Sequence, residues 1–274
     1  MKLLITGYKG FIGSNLVTAL EKQHQVYTHD WNDSQISLNN IDWVIHVGAI
    51  SSTTERDVDK IMRQNYDFSC QLLDNCLNNG VHFQYASSAS VYGVNLEFTE
   101  NSLVDPRTPY AWSKYMFERY AAKRQEFADW NNYRIQGFRY FNVYGNGEAH
   151  KGSQASPVTQ FRRQAQDTGK IKLFYDSDQY LRDFISVDDL CNVHSQFFDV
   201  KQSGVWNVGT GKPCSFQHIA NLVSKKYNAE IEYVKMPDIL KDSYQKYTCA
   251  DVTKLEDAIG TQRMTSVENW LAIN

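Results

Sequence analysis

Residues Lys2–Gly13 read Lys-Leu-Leu-Ile-Thr-Gly-Tyr-Lys-Gly-Phe-Ile-Gly, and this stretch decides the fold. Leu3, Leu4 and Ile5 form a short apolar run. Glycines follow at Gly7, Gly10 and Gly13, and the apolar residues then take helical spacing at Ile12, Leu16, Val17 and Leu20. The pattern predicts a strand, a tight turn and a helix. A turn this close to a phosphate needs glycine, because a Cβ would meet the ligand or demand a strained φ. A helix opening there aims free N–H groups and its positive dipole end at a pyrophosphate.

Moving outward, the second apolar run is Val26-Tyr27-Thr28-His29, and Asp30 follows it. An acid at that place suits the ribose hydroxyls of a dinucleotide. Between Asp30 and Asp42 the chain is polar and too short for a further strand and helix, leaving at most a stub near Ile36. Trp43–Val47 predicts the next strand, and Ser51-Ser52-Thr53-Thr54-Glu55 predicts the start of a long, interrupted helix reaching Asn79. Strands are expected over 81–86, 133–141 and 205–208, with helices from Tyr110 and over 157–168 and 188–198. Alternation of this kind predicts an α/β fold: a Rossmann-type doubly wound parallel sheet, shortened after its second strand. Residues 1–146, rejoined by 183–208, are expected to form it. A smaller C-terminal substrate-binding lobe is expected from 147–182 and 209–274.

Composition narrows the function. The chain has 274 residues, 42% hydrophobic and 22% charged, with a net charge of −3. Such a balance suits a globular protein and offers no electrostatic footprint for nucleic acid. No apolar run is long enough to span a membrane, and the first strand begins too early for a signal peptide, so a cytoplasmic location is expected. The five cysteines, Cys70, Cys76, Cys191, Cys214 and Cys249, are scattered and form no metal-binding spacing; they read as reduced thiols.

Tyr110 and Lys114, four apart on one helix, share a face. A free tyrosine titrates near 10, too high for a base at neutral pH, and a neighbouring cation is expected to lower it. Ser88 ends a strand on the ligand-binding edge of the sheet, where its hydroxyl can hold the oxygen that Tyr110 deprotonates.

Gly7-x-x-Gly10-x-x-Gly13, Ser87-Ser88, Tyr110-x-x-x-Lys114 and Arg139-Tyr140-Phe141-Asn142-Val143-Tyr144-Gly145 together resemble the extended short-chain dehydrogenase/reductase family over nearly the whole chain. Gly48–Glu55, His150-Lys151-Gly152-Ser153 and Tyr244-Gln245 resemble its ADP-L-glycero-D-manno-heptose 6-epimerase branch. The resemblance implies an isomerase of carbohydrate metabolism, serving lipopolysaccharide biosynthesis, with tightly bound NADP or NAD. In it the sugar is oxidised by hydride transfer, the keto intermediate turns in the pocket, and the hydride returns to the other face. Tyr110 would be one acid/base and Lys151 the second. The resemblance implies dinucleotide contacts from Gly7, Gly10, Phe11, Ile12, Gly13, Asp30, Trp31, Val47, Gly48, Ala49, Gln64, Asn65, Ala86, Ser87, Tyr110, Lys114, Val143 and Lys151. It implies nucleotide-sugar contacts from Ser51, Ser88, Asn142, Ser153, Gln160, Phe174, Tyr175, Asp176, Ser177, Arg182 and Tyr244. A homo-oligomer is expected, with the helices near Thr54 and Tyr110 pairing between subunits.

Three departures from that branch stand out. The segment after Asp30 lacks lysines and Asp30 is expected to have no basic residue nearby, so charge favours NAD where the resemblance implies NADP. Gln160 replaces a histidine, and Tyr175-Asp176 replaces Glu-Gly. The alternatives are an NDP-sugar 4-epimerase, which uses Tyr110 but has no evident need of Lys151, and a non-catalytic nucleotide-binding regulator, against which the intact Ser88, Tyr110 and Lys114 argue. A 4,6-dehydratase fits less well, because Ala89-Ser90 rather than an acidic pair follows Ser88.

Overall fold

The computed structural model describes residues 1–31, 33, 36–52, 55–237 and 245–274. Its centre is a six-stranded parallel sheet. In chain order the strands are β1 (Lys2–Thr6), β2 (Gln25–His29), β3 (Trp43–His46), β4 (His82–Ser88), β5 (Ile135–Tyr140) and β10 (Gly204–Val208). They lie side by side as β10-β5-β4-β3-β1-β2. Leu3 pairs with Val26 on one side and Trp43 on the other.

Alternation along β1 distributes side chains to two covered faces. Leu4 joins Val44, Phe83, Leu72, Leu73 and Phe117 under α3 (Phe68–Asn78) and α4 (Pro109–Trp130). Leu3 and Ile5 join Leu16, Leu20, Val187 and Cys191 under α1 (Phe11–Leu20) and α6 (Val187–Gln196). Each such leucine or isoleucine contributes about 1.5–3 kcal/mol by leaving water. After β2 the chain returns directly to β3, and β2 ends the sheet. No strand or helix lies among the described residues between them; Ile36, Leu38 and Ile41 instead pack onto the core.

The expected helix start is wrong. The helix begins at Val58, not at Ser51–Glu55, and Asp57 caps it by accepting the Lys60 N–H at 2.9 Å. Thr53 and Thr54 lie outside the described residues. The expected interruption is a π-helical turn, Met62–Asp67, between α2 (Val58–Ile61) and α3. Such turns are rare and recur at functional sites. α4 starts as the sequence suggests: Thr108 accepts the Ala111 N–H and Pro109 takes the first turn.

A separate core gathers α5 (Pro157–Thr168), α7 (Phe216–Tyr227) and the C-terminal α9 (Val267–Ile273), with β7 (Lys170–Phe174) paired to β12 (Glu230–Val234). Val158, Ile171, Ile219, Val223 and Trp270 fill it. Short pairs tie it back to the sheet: β6 (Asn142–Tyr144) with β9 (Phe184–Ser186), and β8 (Leu181–Arg182) with β11 (Cys214–Ser215). α8 (Thr253–Ile259) packs beside β10. Among the described residues no helix is long and apolar enough to cross a membrane.

Candidate active site

The glycine turn closes one end of a cleft of about 310 Å³. Gly7 sits at φ +71°, and a Cβ there would lie 2.4 Å from the Gly48 Cα. Its role is to let β1 and β3 approach. Gly10 differs, since the nearest atom to a Cβ on it is its own turn's Gly7 carbonyl at 3.3 Å. That space belongs to the cleft. Gly10 caps α1 without a side chain, and no acid occupies the first turn. The opening N–H groups of α1 are therefore free for an anion. Phe11, Ile12, Gly13, Val47, Gly48, Ala49 and Gln64 line the same cleft. Ser51, expected against the sugar, lines it too. Thr6, Ile50, Phe68 and His150 are lining residues that the sequence reading missed.

At the cleft's outer end β2 delivers Asp30 and Trp31. Asp30 accepts the Trp31 N–H at 2.8 Å, and its other oxygen meets the Lys9 ammonium at 3.1 Å. Burial alone raises the Asp30 carboxyl, but Lys9 and the backbone N–H outweigh it and hold it below the usual range. Asp30 was expected to have no basic neighbour, which is incorrect: Lys9 comes from the glycine turn rather than from the segment after β2. Trp31 stands edge-on to Phe68, 5.1 Å between ring centres, and both face the cleft. They form an aromatic wall of the size and chemistry an adenine takes.

The π-helical turn presents Gln64 to the cleft, while Asn65 turns inward. Asn65 accepts the Ile50 N–H at 2.8 Å and donates to the Ile50 carbonyl at 3.0 Å and to Ser113. It braces the cleft wall against α4 and has no free donor for a cofactor.

Ser88, Tyr110 and Lys114 converge where β4 ends against α4. The Lys114 ammonium is buried, donates to the Ala86 carbonyl at 2.9 Å, and lies 5.9 Å from the centre of the Tyr110 ring. Burial lowers Lys114 to about 8, with Glu118 pulling the other way. The expected depression of Tyr110 by Lys114 is not found. Burial raises the phenol, and the hydrogen bond to Ser88 only partly offsets it. Desolvation is the largest effect on the half-buried phenol, and the ammonium stands nearly 6 Å from its ring centre.

Behind these groups lies a buried ionic layer absent from the sequence reading. Arg139 of β5 donates to Glu118 of α4 at 2.7 and 3.0 Å, and to Tyr92 at 2.9 Å. Ser87, expected at the cofactor, donates its hydroxyl to Glu118 instead. Ala86 and Val143 are half-buried, pack against the sheet core and are not among the residues lining the cleft.

Lys151 comes from a 3-10 segment, Glu148–Gln154, docked on α1. Asn15 donates to the Asn146 carbonyl at 3.0 Å. Buried Glu148 accepts from Ser156 at 2.6 and 2.7 Å and from Thr159 at 2.7 Å. Its Oε1 lies 3.8 Å from the Lys151 ammonium, which hangs 5.4 Å from the Phe11 ring centre. Lys151 thus reaches the glycine-turn side of the cleft. Gln160 donates to the Ser153 and Ala155 carbonyls, bracing this segment, while Ser153 is exposed.

The other expected sugar-nucleotide residues lie in and beside the second core. Asn142 begins β6, and its N–H donates to the Asp183 carbonyl. Phe174 ends β7, Tyr175 and Asp176 are exposed, and buried Ser177 donates its hydroxyl back to the Phe174 carbonyl. Arg182 is mostly buried, with its guanidinium on the Leu181 and Gln245 carbonyls and 5.5 Å from the Phe216 ring centre. The Asp183 carboxylate accepts from Thr210, Gly211 and Ala250. Tyr244 lies outside the described residues.

Residues 3–209 match the model of the NAD dependent epimerase/dehydratase family. The chain is 36% identical over 290 residues to an ADP-L-glycero-D-manno-heptose-6-epimerase of Brachyspira hyodysenteriae, covering 93% of this chain and 91% of that one. It superposes on the crystal structure of the Helicobacter pylori ADP-L-glycero-D-manno-heptose-6-epimerase with a TM-score of 0.86 at 25% identity, covering 99% and 94% of the two chains. A UDP-N-acetylglucosamine 4-epimerase from Methanobrevibacter ruminantium, in complex with UDP-N-acetylmuramic acid, gives a TM-score of 0.85 at 23% identity, covering 99% and 98%.

Proposed function

The chain belongs to the NAD dependent epimerase/dehydratase family, and from that premise we propose that it is a nucleotide-sugar epimerase that inverts the 6-position of an ADP-glycero-manno-heptose. The whole-length likeness to heptose 6-epimerases carries this reading. Lys151 on the cleft wall favours it over a 4-epimerase that needs Tyr110 alone.

The residues present fit NAD or NADP. Uncapped N–H groups of α1, the open space beside Gly10 and the Trp31–Phe68 wall match a pyrophosphate and an adenine. When bound, the dinucleotide supplies transient oxidation and re-reduction of the sugar. The chain's own work is proton handling. Ser88 holds the sugar hydroxyl, and Tyr110 takes its proton and later returns one. Positive charge near the phenol must overcome the burial that raises it. Lys114 supplies part of that charge and donates to the nicotinamide ribose. Lys151 serves the oxygen in its second orientation, because one acid/base cannot reach both. Arg182 suits the diphosphate through its forked donors. Residues 147–182 and 209–274 form the sugar-nucleotide lobe. The exposed Trp112 and Met116 on α4 offer a face for pairing with a second copy. A cytoplasmic enzyme supplying heptose to lipopolysaccharide fits this chemistry.

The test is epimerisation of ADP-glycero-manno-heptose by the parent and by Lys151→Met, scored beside dinucleotide content. A single general acid/base contributes roughly 10²–10⁴-fold, so Lys151→Met is expected to lose that much while keeping its dinucleotide. Parent-level turnover by this variant would remove the two-base reading and favour the 4-epimerase alternative.

A further inference from the structure

Asp30 and the family resemblance pull the choice of dinucleotide in opposite directions. An acid at the end of β2 hydrogen-bonds the ribose 2′-hydroxyl of NAD and repels the 2′-phosphate of NADP. In this chain Asp30 does not act alone. The Lys9 ammonium lies 3.1 Å from its Oδ2, and both side chains line the cleft. Resting on the acceptor that would take the ribose hydroxyl, this ammonium is within reach of whatever the 2′-oxygen carries. Lys9 can also leave that position. Its side chain is 60% exposed, with the Tyr8 ring centre 5.3 Å from the ammonium. Exposed ion pairs are weakly held, and a phosphate dianion outbids a single carboxylate for one ammonium. The other lysine on the cleft wall, Lys151, stands beside Phe11 and Glu148 instead.

Resting on the dinucleotide-binding reading of this cleft, we propose that Lys9 is the residue that selects the dinucleotide. With NAD it stays on Asp30, neutralising it while the carboxylate shares the ribose hydroxyls. With NADP it turns onto the 2′-phosphate and screens that phosphate from Asp30. The cation that the segment after Asp30 lacks is thus supplied from the middle of the glycine turn, and the site takes both dinucleotides.

The experiment is a competition on the whole protein. Purified chain is equilibrated with equal concentrations of NAD⁺ and NADP⁺ and freed of unbound ligand. Bound dinucleotide is then released by denaturation and quantified by mass spectrometry. The parent is expected to carry both. Lys9→Met is expected to lose roughly 10- to 100-fold in its NADP-to-NAD ratio, the worth of one charged hydrogen bond. Lys9→Arg is expected to keep the parent ratio, and Asp30→Asn to shift it toward NADP. Raising the salt should lower the NADP share of the parent but not of Lys9→Met. A ratio unchanged in Lys9→Met, or a parent that carries NAD alone, overturns the role of Lys9. A parent that carries neither dinucleotide overturns the reading of the cleft itself, and the role of Lys9 with it.

Discussion

Two lysines with proposed roles have opposite surroundings: Lys114 at an inner end where β4 meets α4, and Lys9 at the outer end of the cleft. Lys114 is 7% exposed, held on the Ala86 carbonyl and lowered to about 8 by burial. Lys9 stands in water and is raised, chiefly by its hydrogen bond to Asp30. At the inner end desolvation is the largest effect on both Lys114 and Tyr110, lowering the one and raising the other. At the outer end an exposed ion pair has the largest effect. The difference suits the two proposed tasks. Proton transfer needs groups held in one geometry with shifted affinities. Choosing between two cofactors needs a cation that can change partners.

The strongest way to break this contrast is to remove the ionic layer behind the inner end. Arg139→Met leaves the Glu118 carboxylate buried without its main partner, both side chains being at most 6% exposed. The expected loss of stability is about 3–5 kcal/mol, read by denaturant unfolding. The double variant Glu118→Leu with Arg139→Met should recover most of it, because a buried pair replaced by apolar groups is often neutral. A single variant as stable as the parent would show that the layer is not what fixes α4 on the sheet.

The next effect is on pH. Below about 8, Lys114 is charged and can donate to a ribose; above it the ammonium loses its proton. Turnover at saturating sugar is expected to fall on the alkaline side near that value. Stability should move the other way. Between about 8 and 10.5 the unfolded lysine keeps a proton that the folded one has released. Unfolded chains then bind more protons, and this group's contribution to stability rises with pH. An alkaline loss of activity that tracks unfolding would contradict the assignment.

The smallest effect belongs to the outer end. Lys9→Met should leave the unfolding midpoint where it is, since removing one exposed partner of an ion pair rarely changes stability. A clear shift would mean that the Lys9–Asp30 pair is structural and not free to exchange partners.

The same contrast explains what could be read from sequence. The strand–turn–helix at Lys2–Gly13 was legible because glycine spacing and apolar period are local. Leu3, Leu4 and Ile5 went to the two faces as their alternation requires. The shortened return from β2 to β3 followed from chain length. The helix start did not, because Ser51–Glu55 looks like a cap as much as Asp57 does, and only Asp57 meets the apolar rhythm of the following turns. Tyr110 and Lys114 were legible as a helical pair, but not the depth at which Lys114 sits. That depth goes with Phe117 and Ala111, which are buried on the same helix. Ser87 read as a cofactor residue because its partner, Glu118, lies on another element. Lys9 was passed over for the same reason. Nothing in the glycine turn reveals that its lysine meets the end of β2.

The central claim is that the inner end performs the chemistry and the outer end selects the cofactor. One preparation of Tyr110→Phe tests it most directly, assayed for epimerisation of ADP-glycero-manno-heptose and for the amount and NADP-to-NAD ratio of its bound dinucleotide. Epimerisation is expected to fall by roughly 10²–10⁴-fold, with the amount and ratio of dinucleotide unchanged from the parent. Turnover at the parent rate, or a ratio that moves with the tyrosine, would contradict it.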